Sequence, residues 1–346
     1  MSEVLLRVEN LKVHYPVART QLFQRGPAQT VKAVDGVSFE VRAGEALGIV
    51  GESGCGKSTL GRAIVNLVKP TDGRILWLGR DIVGLAAKEM RPLRRDIQIV
   101  FQDPLSTHNP RMSVGRIIGE PLELFSPELS AAEREATVRE MMRNVGLNAE
   151  FYNRYPHELS GGQSQRVSIA RAMILKPRIV VCDEPVSALD VSTQAQIINL
   201  IRRLKRDFGV AIIFISHDLS VVRRLCERVM VMYLGRVMEI GPRDDIFDAP
   251  RHPYTRALIA AVPIPDPIRQ AARAPLRLTG EIASPIDPPS GCVFRTRCPD
   301  EAPPCRARVP ALTVTPTAVG DRAVACHFAP GSSSASMSSP AQMIDA

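Results

Sequence analysis

The chain has 346 residues, 45% hydrophobic and 23% charged, an ordinary globular composition with room for one large core and a smaller attached unit. Lysine and arginine number 44 against 36 acidic residues, a net charge of +8, which suits an anionic partner such as nucleic acid, an acidic membrane surface or a polyphosphate. No run approaches the roughly eighteen apolar residues of a membrane span, and MSEVLLRVEN lacks the basic flank and apolar core of a secretory leader, so a cytoplasmic protein is expected.

Residues 4–50 read as three strands, LLRVENLKVHY, VKAVDGVSFEV and EALGIV. The polar, basic PVARTQLFQRGPAQT between the first two reads as an extended hairpin tip. GESGCGKS at 51–58 follows the third strand and precedes TLGRAIVNLV, whose apolar spacing is helical. Gly51, Gly56, Lys57 and Ser58 fall where a phosphate loop requires them. Glycines let backbone amides wrap phosphates, the lysine reaches the β and γ oxygens, and the serine ligates Mg²⁺. Glu52, Ser53, Gly54, Cys55 and Thr59 complete the expected ATP-binding stretch. GRILWLG and DIQIVFQ add strands.

Residues 114–150 turn helical, and SAAEREATVREMMRNVGL opens on a capping box, Ser130 with Glu133, and closes near Gly146. LSGGQSQRVSIARAM, 159–173, then sets a polar residue and two glycines before another helix, a second anion-seeking helix start. IVVC is strand-length and apolar, and VVCDEP ends it on two acids. The carboxyl ends of parallel strands are where α/β sheets bind ligands. Asp183 is placed there to hold Mg²⁺, directly or through water, and Glu184 to orient or deprotonate an attacking water. The helix after Asp190 lines up Ile197, Ile201, Leu204 and Phe208 and stops at Gly209, before the strand VAIIFISHD. Strands alternating with helices imply a mostly parallel sheet with right-handed crossovers.

Beyond residue 250 the chain becomes proline-rich. Cys55, Cys182 and Cys226 are scattered, whereas Cys292, Cys298, Cys305 and Cys326 crowd together as C-x5-C-x6-C-x20-C. Cysteines in a cytoplasmic chain point to metal binding or burial. Four thiolates hold either tetrahedral zinc or an iron–sulfur cluster, and His327 is a substitute ligand for a zinc site. GSSSASMSSPAQMIDA is low-complexity and expected to be disordered.

In chain order, GESGCGKST, Gln102 in VFQDP, LSGGQ, VVCDEP, SALD at 187–190 and His217 in FISHD resemble the ATP-binding subunit of an ABC transporter, over residues 4 to about 240. The resemblance implies a P-loop NTPase (RecA-like) α/β core with a mixed sheet and an N-terminal antiparallel β subdomain. It also implies a helical subdomain inserted at about 104–175 and a small cysteine-rich C-terminal extension. On that reading residues 1–250 form the ATP-binding domain, 251–330 the extension and 331–346 a disordered tail.

In this family two such domains pair head to tail, each ATP lying between the phosphate loop of one and the LSGGQ segment of the other. The resemblance therefore turns Ser160, Gly161, Gly162 and Gln163 toward a partner's nucleotide. It puts Tyr15 on adenine, Gln102 beside Mg²⁺ and the attacking water, and His217 on the γ-phosphate. Ser187, Ala188, Leu189 and Asp190 become the loop that communicates across the dimer. Lys57, Gln102, Glu184 and His217 form the implied catalytic set, with Mg²⁺ at Ser58, Gln102 and Asp183. Ser164 stands where arginine is common.

FQDPLSTHNPRMSVGRIIGEPL, YPHELSGGQ, CDEPVSALDVSTQAQIINL and RHPYTRAL further resemble the ATPase subunits of bacterial oligopeptide and dipeptide importers. The NPRM segment and the loop before AVDGVSF are more like the second ATPase of such systems than the first, with His108 replacing a commoner leucine. This implies peptide uptake by a peripheral protein on the cytoplasmic face of the membrane. Its implied partners are a sister ATPase, favoured over a second copy, two permease subunits and an extracellular or periplasmic binding protein, with no nucleic acid. The same branch serves nickel, opine and glutathione uptake. A similar C-terminal segment is associated with a 4Fe–4S cluster, so Cys292, Cys298, Cys305 and Cys326 are expected to hold one, with zinc as the alternative. Rival readings are a non-transport ABC ATPase and an iron–sulfur redox sensor. Lys57 and Leu159 stand too close in the chain for the long coiled coil of the DNA-repair types.

Overall fold

The computed structural model describes residues 2–17, 29–262, 280–317 and 320–329. The hairpin tip expected around 16–30 falls mostly, and the low-complexity tail entirely, outside these residues.

Three strands form the centre: β3 (Ala46–Val50), β7 (Ile179–Asp183) and β8 (Ala211–Ile215), each buried at every position. Such continuous apolar runs belong to strands covered on both faces. With β6 (Ile97–Val100) and β9 (Arg228–Tyr233) they make five neighbouring parallel strands in the order β6-β7-β8-β3-β9. The sheet then turns antiparallel through β10 (Arg236–Pro242), β12 (Gly320–Val324) and β11 (Thr313–Thr317). A second, antiparallel sheet runs β2-β1-β4-β5, from β1 (Val4–Pro16), β2 (Thr30–Arg42), β4 (Asp72–Trp77) and the short β5 (Arg80–Asp81).

Strand alternation divides the interior into two cores. Leu47, Ile49, Val181 and Ile213 face one side, with the inner residues of β1 and β2 and with α1 (Lys57–Ile64). Val50, Val180, Ile212 and Phe214 face the other, which is covered by helices. Helix α1 lies close against the sheet: a Cβ at Gly61 would come within 2.7 Å of Ile215 Cδ1.

After α2 (Ala87–Leu93) and β6, the chain is helical until β7, with α3 (Pro104–Thr107), α4 (Val114–Phe125), α5 (Ala131–Asn144) and α6 (Gly161–Met173). The capping box on α5 is present, with the Glu133 carboxylate accepting from Ser130 N at 2.8 Å. Helix α7 (Val191–Phe208) buries Ile197, Ile201 and Leu204 and stops at Gly209 in the left-handed region. Beyond β8, α8 (Leu219–Leu225), α9 (Arg243–Asp248) and α10 (Pro253–Ala260) lead to the cysteine-rich segment. That segment returns to the core, since β12 pairs with β10 and the buried Arg322 guanidinium meets the buried Glu239 carboxylate at 2.9 Å through Nε. No helix of the described residues is long and apolar enough to cross a membrane.

Candidate active site

The loop from Gly51 to Gly56 joins β3 to α1, and it packs too tightly for side chains. A Cβ at Gly51 would lie 2.2 Å from the Met232 carbonyl oxygen, and one at Gly56 would lie 1.9 Å from that of Ala33. Gly56 also holds φ at +99°, in the left-handed region that favours glycine. Lys57 is only 4% exposed. Its ammonium donates to the carbonyls of Gly51 and Glu52 at 2.8 and 2.9 Å.

Ser58 Oγ donates to Asp183 Oδ1 at 2.7 Å. Asp183 is wholly buried, and its Oδ2 accepts no hydrogen bond; the nearest cation is Arg62, with Nε 3.9 Å away. Burial pushes this carboxyl above its usual range, partly countered by Ser58 and Arg62. A buried acid with an unsatisfied oxygen beside a hydroxyl is an oxygen-only donor set of the kind Mg²⁺ takes, so the residues fit that ion.

Glu184 adopts φ +47°, a left-handed conformation costly for a non-glycine residue, while its amide donates to Ile215 O at 3.1 Å. The turn brings its carboxylate to Gln102 Nε2 at 3.2 Å and His217 Nδ1 at 3.3 Å. Gln102 Nε2 also lies 3.5 Å from Ser187 Oγ. Three of the expected catalytic residues thus converge from the carboxyl ends of β6, β7 and β8, which are neighbours in the sheet. The Gln102 contacts use its amide nitrogen, not Oε1, the atom through which the expected Mg²⁺ role would run. Tyr15 is the penultimate residue of β1 and is 39% exposed, near the undescribed residues 18–28.

The LSGGQ segment opens α6 with a reciprocal cap: Ser160 N donates to Gln163 Oε1 at 2.9 Å, and Gln163 N to Ser160 Oγ at 3.3 Å. Ser160 and Gly161 are exposed. The glycines allow close packing on the next loop, for a Cβ at Gly161 would be 3.3 Å from Leu189 Cδ2 and one at Gly162 only 2.5 Å from Thr193 Cγ2. Asp190 caps α7, accepting from Ser192 Oγ at 2.6 Å and Thr193 N at 3.0 Å, and these bonds hold its carboxyl well below the usual range. Ala188 is exposed next to the signature segment, as is Val191, at 82%. Ser164 is fully buried in α6. His108 is buried against Ser168 Oγ at 2.9 Å, and burial pulls it down to about 4, so it stands neutral.

Cys292, Cys298, Cys305 and Cys326 line one cavity of about 50 Å³ together with His252 and His327. Among the described residues no three histidine, cysteine, aspartate or glutamate side chains, as placed here, form a group that could hold one metal ion. Burial pushes the thiols of Cys292 and Cys298 up to about 11 and about 12 in the metal-free chain. The other three cysteines are free and buried.

Two residues that no sequence pattern signalled reach the phosphate loop. Arg297, from between the cysteines, pairs with the Glu52 carboxylate, and Tyr254 accepts from the Glu52 amide.

Comparison with known proteins agrees with this geometry. The family model described as ABC transporter matches residues 34–187, and that described as oligopeptide/dipeptide transporter, C-terminal region, matches 238–305. The chain is 54% identical over 310 residues to the oligopeptide transport ATP-binding protein OppF of Salmonella typhimurium, covering 90% of this chain and 93% of that one. It is 49% identical over 329 residues to the di/tripeptide transport ATP-binding protein DppF of Pseudomonas aeruginosa, covering 94% and 98%. A dimeric ATP-binding cassette solved in a post-hydrolysis state with ADP and Pi is similar at TM-score 0.62 and 30% identity, covering 69% of this chain and 99% of that one.

Proposed function

The chain belongs to the ABC transporter family, in its oligopeptide and dipeptide branch, and from that premise we propose that it is the ATP-hydrolysing subunit of a peptide importer. ATP lies between its own phosphate loop and the LSGGQ segment of a partner. The observation that carries the reading is the meeting of Gln102, Glu184 and His217 at the carboxyl ends of three neighbouring strands, next to the buried Ser58–Asp183 pair and the phosphate loop.

Phosphoryl transfer asks for position and charge stabilisation more than covalent chemistry. Mg²⁺ at Ser58 and Asp183 would neutralise charge shared by the β and γ phosphates. Lys57 exchanges its two loop carbonyls for phosphate oxygens. Glu184 takes the proton of the attacking water, Gln102 orients that water, and His217 contacts the γ-phosphate. Tyr15 stacks on adenine. Ser160, Gly161, Gly162 and Gln163 reach across to the partner's triphosphate, while Ser187–Asp190 report its presence. Support for the composite site is the exposed signature start flanked by Ala188 and Val191, and the dimeric state of the similar cassette.

The partner is a sister ATPase, as the resemblance of the NPRM segment suggests, and the pair docks beneath two permease subunits on the cytoplasmic face of the membrane. Residues 251–330 act as an extension whose four cysteines hold a 4Fe–4S cluster, with zinc as the alternative. Its support is a single cavity lined by four soft sulfur donors. The group would tie a proline-rich segment together. Protein purified without air is expected to be brown with iron and sulfide; colourless protein with stoichiometric zinc reverses that assignment. For the transport role, the assembled complex in vesicles is expected to hydrolyse ATP faster when its binding protein is loaded with peptide. No stimulation by any peptide would overturn peptide import.

A further inference from the structure

We infer that the cysteine-rich segment braces the phosphate loop, and that Arg297 and Tyr254 are positioning residues for nucleotide binding; this rests on the ATP-binding reading above. Glu52, the second residue of the loop, is held on every polar group it has. Its amide donates to Tyr254 Oη at 3.0 Å, and its carbonyl accepts from Lys57 Nζ at 2.9 Å. Its two carboxylate oxygens accept from Arg297 Nη1 and Nη2 at 2.7 and 3.0 Å. Cys55 N also donates to the Glu52 carbonyl at 3.3 Å, so two of the four partners come from the distant C-terminal part of the chain, and both are buried, Arg297 at 8% exposure and Tyr254 completely.

A planar two-bond fork fixes orientation as well as distance, which a single point charge does not. The brace itself is stiff. Tyr233 and Phe294 pack on the Tyr254 ring with centroids 4.8 and 5.3 Å away, and on each other at 5.4 Å. The Arg297 guanidinium lies 5.8 Å from the Tyr233 ring centre. Arg297 closes the turn Arg295–Arg297, and Cys298 follows directly.

Two physical consequences reach the nucleotide. Lys57 must leave the Gly51 and Glu52 carbonyls to meet phosphate, and a loop anchored from outside keeps its shape through that exchange, lowering the ordering cost of binding. Glu52 also places a carboxylate beside the polyanion's seat, and Arg297 neutralises it. Without Arg297 an unpaired negative charge would oppose the triphosphate.

The test is the Mg·ATP affinity of the full chain by calorimetry, together with thermal melting. Arg297→Met is expected to weaken binding about tenfold, within the range of ordinary coupling between sites. Arg297→Lys, which keeps the charge but loses the fork, should fall between the parent and Arg297→Met, and the double variant Glu52→Gln/Arg297→Met should bind more tightly than Arg297→Met alone. A lower melting temperature with unchanged affinity in Arg297→Met would make the residue merely structural and overturn the proposal. Should that variant melt too low to titrate, Tyr254→Phe decides, since it keeps the ring and deletes only the acceptor. Weakened binding supports the brace and unchanged binding removes it. Failure of the parent protein itself to bind ATP would instead sink the reading of the loop.

Discussion

Glu184→Gln replaces the carboxylate that meets Gln102 at 3.2 Å and His217 at 3.3 Å with an amide of the same shape. The amide oxygen still accepts from Gln102, so the left-handed turn and the surrounding contacts persist. What disappears is the ability to take a proton. A positioned general base contributes about 10²–10⁴ in rate, or roughly 3–5 kcal/mol of barrier. ATP binding should be untouched, because Lys57, Ser58 and Asp183 remain. The assay is steady-state phosphate release by the assembled complex, beside retention of radiolabelled ATP on a desalting column. The variant is expected to lose at least about a hundredfold in turnover and to retain unhydrolysed ATP. Turnover within threefold of the parent would refute the assignment of Glu184 as base.

Asp183→Asn removes a charge that burial disfavours. Because the folded carboxyl lies above its ordinary value, ionising it as pH rises costs stability, and the neutral form is favoured toward acid. The nucleotide-free variant should therefore melt higher than the parent at neutral pH, the gap narrowing as pH falls, while Mg²⁺-dependent ATPase is lost; calorimetry and turnover read both. Gly162→Ala drives a methyl toward Thr193 Cγ2, 2.5 Å from the ideal Cβ, and should cut turnover about tenfold or more without weakening ATP binding to the variant's own phosphate loop. Adding Thr193→Ser deletes that methyl and should restore turnover, so failure of the rescue would contradict steric displacement of the signature helix. Arg322→Met leaves the Glu239 carboxylate buried without its cation and should cost about 3 kcal/mol or more, measured by denaturant unfolding.

Much of the site was legible because its chemistry is local in sequence. Gly51–Ser58 needs a strand, a glycine loop and a helix in immediate succession. The caps of α5 and α6 are three-residue patterns, and Asp183–Glu184 announces a strand's carboxyl end. The long-range partners left no such trace. Glu52 meets Arg297 across 245 positions and Tyr254 across 202, pairings that depend on how the C-terminal segment folds back. Arg297 lies in a stretch whose cysteines draw attention to metals instead. The β11–β12 hairpin was equally silent. Its strands, Thr313–Thr317 and Gly320–Val324, are too short and mixed to stand out, and their place in the main sheet follows from the buried Arg322–Glu239 pair. The cysteine spacing was visible, but spacing alone does not say that all four side chains line one cavity with His252 and His327, which depends on how the segment folds back.

The most direct measurement tests whether two chains share one hydrolytic chamber. Cysteine introduced at exposed Ser160, in a complex carrying Glu184→Gln, is labelled with a thiol-linked photocrosslinker that needs no amine, irradiated, and digested for mass spectrometry. With Mg·ATP, the account predicts a bridge from residue 160 to the phosphate-loop region of the opposing ATPase, absent without nucleotide. A reactive residue 160 that never joins the neighbour under saturating Mg·ATP would contradict it.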